Sequence, residues 1–232
     1  MNRLILAAAI LFFASNTMAT ESNFYLKSSY GKVDPDGKLD TDFPSLEDQE
    51  NLSVKLSNPK GWSLALGYRL DNFIALEAGY ADLGDADSSV SEVRSNNFDY
   101  GYYSDTYERE NRLETTLSRK SKMLGIFLTT DVTKDFYAGI RTGFHSWDAD
   151  LKYKFTSNTK YTETDNSGSV TYTDTYNYEE SDKERIHDSD LYYGISAGWN
   201  FNENWSLSLE HTIFEMNEDK PSLSSLALTY NF

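Results

Sequence analysis

The chain has 232 residues, a formal net charge of −16, no cysteine, and low mean hydropathy (−0.60) combined with 15% aromatics, 17 of them tyrosine. The missing cysteine excludes a disulfide framework and a thiolate metal site, the acidity excludes electrostatic binding of nucleic acid, and no stretch approaches the roughly 20 apolar residues of a membrane helix. Low hydropathy with many rings suits a polar interior and polar loops around a thin apolar band.

Residues 1–19 have the parts of a secretory signal peptide: Arg3 makes the amino end positive, an apolar run covers residues 4–13, and Thr17-Met18-Ala19 closes on small residues. Residues 20–232 are then expected to form one domain. From there, stretches recur in which apolar and aromatic residues occupy alternate positions, the signature of strands with one apolar face.

The first carries Phe24, Leu26 and Tyr30 against Tyr25, Lys27, Ser29 and Gly31. The second runs Trp62, Leu64, Leu66, Tyr68 and Leu70 against Ser63, Ala65, Gly67 and Arg69, and the third Ile74, Leu76, Ala78 and Tyr80 against Ala75, Glu77 and Gly79. Leu124, Ile126 and Leu128 mark a fourth. Phe136, Ala138, Ile140 and Phe144 mark a fifth, opposed by Gly139, Arg141 and Gly143. A sixth has Leu191, Tyr193, Ile195, Ala197, Trp199 and Phe201, a seventh Trp205, Leu207, Leu209 and Ile213 against Ser206, Ser208 and Glu210, and the last Leu226, Leu228, Tyr230 and Phe232.

The connections alternate in length. Asp71-Asn72, residues 131–135 and Asn202-Glu203-Asn204 are short, whereas 34–60, 84–118 and 148–190 are long, with a lesser one at 215–222. This predicts an all-β fold, an eight-stranded antiparallel up-and-down transmembrane β-barrel in the bacterial outer membrane, with long extracellular loops and periplasmic termini. The acidity follows the same division: the three long connections carry seven acids and three bases, eight and three, and eleven and five.

Within the first long loop, Asp34, Asp36, Asp40 and Asp42 are weak candidates for a calcium loop, since Ser45 stands where a closing Glu is wanted. In the third, residues 170–178 alternate Thr and Tyr after the turn signal Asn166-Ser167-Gly168, so strands five and six are expected to continue beyond the membrane as a hairpin. Tyr100, Tyr102, Tyr103 and Tyr107 suggest a similar extension in the second loop.

With the apolar faces toward lipid, Lys27, Arg69, Glu77, Arg141 and Glu210 point inward. A lumen of eight strands is only wide enough for side chains, so these charges are expected to pair into a plug. The alternative is a narrow conduit for small solutes or ions.

Leu76-Glu77-Ala78-Gly79-Tyr80 with Leu83-Gly84, Arg141 with Gly143 and Trp147, Leu209-Glu210 and the ending Leu226 to Phe232 resemble the transmembrane domain of OmpA, in strand order across nearly the whole mature chain. The resemblance implies inward positions for Glu77, Arg141 and Glu210. It also implies an assembly signal at Tyr230 and Phe232, read by the barrel-assembly machinery. Asn200 and Ser208 depart from it, standing where charged lumen partners are expected. The family's periplasmic peptidoglycan-binding domain is not expected, since the sequence stops at Phe232.

Three histidines raise lipid A chemistry as a further alternative. A deacylase needs a lipid-side His with a Ser two residues on, but His211-Thr212-Ile213 puts an apolar residue there. His145, Ser146 and Asp148 are neighbours in sequence, yet successive strand residues face opposite ways. His187 falls at the base of the third loop. The resulting expectation is a monomeric, non-enzymatic scaffold without cofactor. It would contact outer-membrane lipids and lipopolysaccharide and offer acidic, Tyr-rich loops to surface or host ligands.

Overall fold

The computed structural model describes residues 23–36, 38–41 and 52–232, so the signal segment lies outside the described residues. Ten strands follow in order: β1 (Phe24–Asp34), β2 (Lys38–Thr41), β3 (Leu52–Lys55), β4 (Lys60–Arg69), β5 (Ile74–Asp99), β6 (Tyr103–Thr129), β7 (Phe136–Asp165), β8 (Val170–Asn200), β9 (Trp205–Phe214) and β10 (Ser222–Asn231). Eight of them close a barrel in the order β1-β10-β9-β8-β7-β6-β5-β4, while β2 and β3 form a separate pair between β1 and β4. Each barrel strand is antiparallel to its neighbours, and β1 joins β10 from Tyr25↔Asn231 to Asp34↔Ser222, so no edge remains in the wall. Closure satisfies every backbone polar group within the ring, which a strand in hydrocarbon requires. Among the described residues no helix is long and apolar enough to cross a membrane.

The period-2 pattern fixes which face is which. Tyr30, Trp62, Leu66, Leu76, Leu124, Ile126, Phe144, Ile195, Leu209 and Leu226 are exposed on the outside, whereas Tyr25, Lys27, Ser29, Ala65, Glu77, Arg141, Ser208 and Glu210 are buried inside. A slip of one residue in any strand would exchange the two sets, so the register is strongly specified. Inward glycines leave room for rings: a Cβ at Gly67 would lie 2.0 Å from Tyr25, one at Gly139 2.5 Å from Phe127, and one at Gly198 2.2 Å from Tyr137.

The four strands β5 to β8 have 26, 27, 30 and 31 residues, against 10 or 11 for the other wall strands. They continue beyond the barrel as a four-stranded sheet, because their Thr, Tyr and charged residues keep the strand period without needing lipid on either face. Both hairpin extensions read from the sequence are present. β5 leaves the wall through a bulge between Asp82 and Asp85. Gly84 sits there at φ +74° with its N–H donated to Asp82 Oδ1 at 3.0 Å, a backbone state in which a Cβ is unfavourable.

The β4–β5 turn differs from the sequence reading, which gave two residues. It takes four, 70–73, because the Asp71 carboxylate accepts from the N–H groups of Phe73 (2.7 Å) and Ile74 (2.8 Å) and so draws both flanking residues into the turn.

Candidate functional site

The lumen is occupied in two layers. Toward the periplasmic end, β1, β5, β7 and β9 contribute Lys27, Glu77, Arg141 and Glu210. Lys27 Nζ lies 2.6 Å from Glu77 Oε1 and 3.6 Å from Glu210 Oε1, and Arg141 Nη2 lies 2.6 Å from Glu210 Oε1. Tyr25 donates to Glu77 at 2.8 Å, and Ser208 donates to Glu210 at 3.3 Å. All four charged side chains are buried, so their pairing replaces the hydration they lose.

Phe127 projects between them, its ring centroid 5.4 Å from Lys27 Nζ and 5.5 Å from the Arg141 guanidinium carbon, within cation–π range. The space left near this layer is a cavity of about 10 Å³ lined by Tyr25, Arg69, Phe127 and Tyr137 among others, room for about one water.

Arg69 is not part of the carboxylate cluster. It sits nearer the periplasmic rim, donating to Asn231 Oδ1 at 3.1 Å and stacking over Tyr25 at 4.8 Å. Asn200 is also at that rim, where its amide donates to the Val132 (2.8 Å) and Lys134 (2.7 Å) carbonyls and ties down the β6–β7 turn. Tyr230 and Phe232 stack edge to face at 5.1 Å beside Trp205, and the Phe232 N–H reaches the Phe24 carbonyl at 3.1 Å.

The outer end of the lumen is apolar. Val33, Leu83, Trp147, Tyr192, Phe214 and Met216 belong to one buried cluster, with Pro221 also fully buried. Residues 215–221 fold inward over it. His145, wholly buried, lies 2.8 Å from Ser121 Oγ through Nδ1 and 2.8 Å from the Glu215 carbonyl through Nε2. Arg119 bonds the Pro35 carbonyl at 2.7 Å and pairs with Asp219. Burial there raises the Asp219 pKa, against the lowering influence of Arg119.

These fasteners were missed from the sequence, since nothing local links Ser121 to His145 or Arg119 to Asp219. His145 is separated from Ser146 and Asp148 by the strand alternation. His187 instead pairs with Asp148 at 3.1 Å on the outside. Asp34 and Asp36 are joined by one backbone contact of 3.3 Å, and Asp40 falls in β2. Asp42 lies outside the described residues. Among the described residues no group of three or more His, Asp or Glu is arranged to hold a metal ion.

Above the barrel, rings cross the protruding sheet from strand to strand. Phe98 of β5 meets Tyr107 of β6 at 6.0 Å, Tyr107 meets Tyr161 of β7 at 4.9 Å, and Tyr161 meets Tyr172 of β8 at 5.9 Å. Tyr161 also donates to Asp105 at 2.8 Å, which raises its own pKa. The upper part of β8 pairs with β7 alone, since β9 meets it only from Tyr192 to Asn200. β5 likewise pairs with β4 only up to Asp82. Among the described residues the sheet therefore presents two long edges without a strand partner, that of β8 and that of β5 beyond Asp87, where Ser57 bonds the Asp87 carbonyl and N–H at 2.9 Å each.

A sequence model of the outer membrane protein beta-barrel domain matches residues 4–232. No curated protein is similar enough to count as a relative. Among solved structures, the chain is similar to Ail, the attachment invasion locus protein of Yersinia pestis, at 13% identity, covering 93% of this chain and 100% of that one with a TM-score of 0.36. It is similar to the N-terminal barrel of Pseudomonas aeruginosa OprF (10%, 92% and 100%, 0.41) and to Neisserial surface protein A (12%, 91% and 98%, 0.34).

Proposed function

The chain belongs to the outer membrane β-barrel protein family, and on that premise we propose that it is a non-enzymatic scaffold whose plugged barrel holds an adhesive sheet clear of the cell surface. The protein is an eight-stranded barrel of the bacterial outer membrane. What the barrel serves is read from its parts. The observation that carries the proposal is the four-stranded extension with its free edges and its aromatic crossing, Phe98, Tyr107, Tyr161 and Tyr172.

An unpaired edge offers a row of N–H and C=O groups to an extended segment of another protein. Residues 170–178 hold Thr and Tyr on such an edge, without Pro or Gly, and Tyr172, Tyr176 and Tyr178 are exposed. Tyrosine gives large contact area at low conformational cost, with a hydroxyl to orient it. The acids of the long loops keep neighbouring copies apart and set the charge of acceptable partners.

The lumen supports the scaffold reading and weighs against a conduit. Lys27, Glu77, Arg141 and Glu210 fill one layer and the apolar cluster around Trp147 and Phe214 fills the next. The chain's contact with lipid and lipopolysaccharide, its recognition by the assembly machinery and its monomeric state are parts of the same proposal.

The test is capture of surface ligands by the intact protein and by a variant whose β7–β8 hairpin is shortened by removing residues 160–175. The shortened protein should keep its barrel and lose capture. Equal capture by both would overturn the adhesive reading.

A further inference from the structure

The register of the wall assembles a row of polar groups that no local sequence pattern shows. His211 of β9 pairs with Ser224 of β10, Ser224 with Lys32 of β1, and Lys32 with Lys60 of β4. All four lie on the outward face. One row toward the membrane, the same strands carry Leu209, Leu226, Tyr30 and Trp62, all exposed and apolar or aromatic. The wall thus changes from lipid-facing to donor-bearing in a single step on β1, β4 and β10, while on β9 the apolar Ile213 follows one row beyond His211. That step marks the outer edge of the hydrocarbon on this side of the barrel.

Two features of the row call for an anion. Lys32 and Lys60 stand directly opposite each other, both exposed, and like charges so placed repel. Among the described residues no ion pair holds either of them. Two acids share the face: Asp34 stands one row further out on β1, and Asp82 of β5 stands opposite Trp62, one row below Lys60, its carboxylate accepting from the Gly84 N–H at 3.0 Å. The row's other half supplies a hydroxyl and an imidazole already joined, Ser224 Oγ to His211 Nδ1 at 2.8 Å. At a strand spacing of about 4.8 Å the row is roughly 15 Å long, and the two ammonium groups can close on one phosphate from both sides. The net charge of −16 makes this placement informative, because the acids concentrate on the loops above while this boundary is basic.

We propose that Lys32 and Lys60, with Ser224 and His211 beside them, form a site for the phosphate of a lipid in the outer leaflet. The lipid's chains would lie along Leu226, Tyr30 and Trp62 while its phosphate bridges the two lysines. The site is distinct from the adhesive sheet, which rises from β5 to β8. It goes beyond the surface role, and its failure would leave that role standing.

The experiment uses the whole protein in nanodiscs containing either lipopolysaccharide with intact lipid A phosphates or the same material treated with phosphatase, and measures retained lipid by native mass spectrometry. The wild type should prefer the phosphorylated form, and Lys32→Gln/Lys60→Gln should lose that preference by roughly 10- to 30-fold. Lys152→Gln/Lys183→Gln, on the protruding sheet, should keep it, and heat-dependent electrophoretic mobility verifies that each variant is folded.

Equal retention of both lipids by the wild type would overturn the proposal, as would an unchanged preference in the Lys32/Lys60 variant. Displacement of the lipid by millimolar inorganic phosphate would overturn its assignment to a lipid. Loss of the preference on chelation would overturn direct contact by the lysines, because the phosphate would then be held through a divalent cation. Release of fatty acid that stops in Ser224→Ala would overturn it in favour of hydrolysis by the Ser224–His211 pair.

Discussion

Removing the Glu77 carboxylate is the sharpest perturbation of the lumen. Glu77 accepts from Lys27 at 2.6 Å and from Tyr25 at 2.8 Å. In Glu77→Ala, Lys27 retains only the 3.6 Å approach to Glu210, whose same oxygen already serves Arg141 at 2.6 Å. A buried cation is left largely uncompensated, which costs about 3–5 kcal/mol. The doubly substituted Lys27→Met/Glu77→Leu removes equal and opposite charges and leaves Arg141 and Glu210 paired. It should therefore recover most of the loss, with a coupling of about 2–3 kcal/mol between the two sites.

The assay is reversible urea unfolding in lipid vesicles, followed by tryptophan fluorescence and electrophoretic mobility. A Glu77→Ala loss no larger than the roughly 1 kcal/mol of an ordinary hydrogen bond, or a double variant as unstable as the sum of its parts, would refute the reasoning.

In planar bilayers the wild type and Glu77→Ala should both lack stable conductance, because the apolar layer around Trp147 and Phe214 persists in each; a stable current altered by Glu77→Ala or Arg141→Ala would restore the conduit. At the β7–β8 tip, Asp165 accepts from the Ser167 N–H and hydroxyl and the Ser169 N–H, and these bonds lower its pKa below the usual 3.8. A depressed folded pKa means a contribution complete above the unfolded value and lost as pH falls through the folded one, so the protection of the Ser167 and Ser169 amides, taken relative to their intrinsic exchange rate at each pH, should fall only below about pH 4. Asp165→Ala should lack that protection at every pH, and wild-type protection that does not change with pH would refute this. Deleting Phe232 should slow assembly into the outer membrane, read as accumulation of unfolded chain in the periplasm; normal assembly would remove the assembly role from the carboxyl end.

The wall was legible because each strand has to satisfy two solvents at once. Leu226, Leu228 and Tyr230 announce lipid, and Lys27, Glu77 and Arg141 announce an interior, in the same two-residue rhythm. Extension of β7 and β8 was legible too, because the Thr–Tyr alternation of residues 170–178 does not stop at the membrane. What remained hidden depends on register between distant strands. The contact of Ser121 with His145, the grip of Arg119 on Pro35 and Asp219, and the row from His211 to Lys60 all arise from the barrel's stagger. That quantity is a property of closure, and no single strand carries it. Phe127 was hidden for a different reason, since an aromatic on the inward face reads locally as one more apolar residue until the cations above it are in place.

The extended strands also decide how force and orientation pass through the molecule. Residues 148–165 of β7 continue without interruption from the wall, about 55 Å along the strand and roughly 40 Å in height at a barrel's tilt. A contact made at the tip therefore acts on a stiff mast, with hydrogen bonds running down into the bilayer, and not on a tether that can slacken. Little conformational freedom is left to lose on capture, and pulling on the ligand loads the ladders of β5 to β8 along their length in shear. In the adhesive role proposed above, the sheet would not unravel under drag from flowing fluid, and the ligand contact itself would set how long attachment lasts.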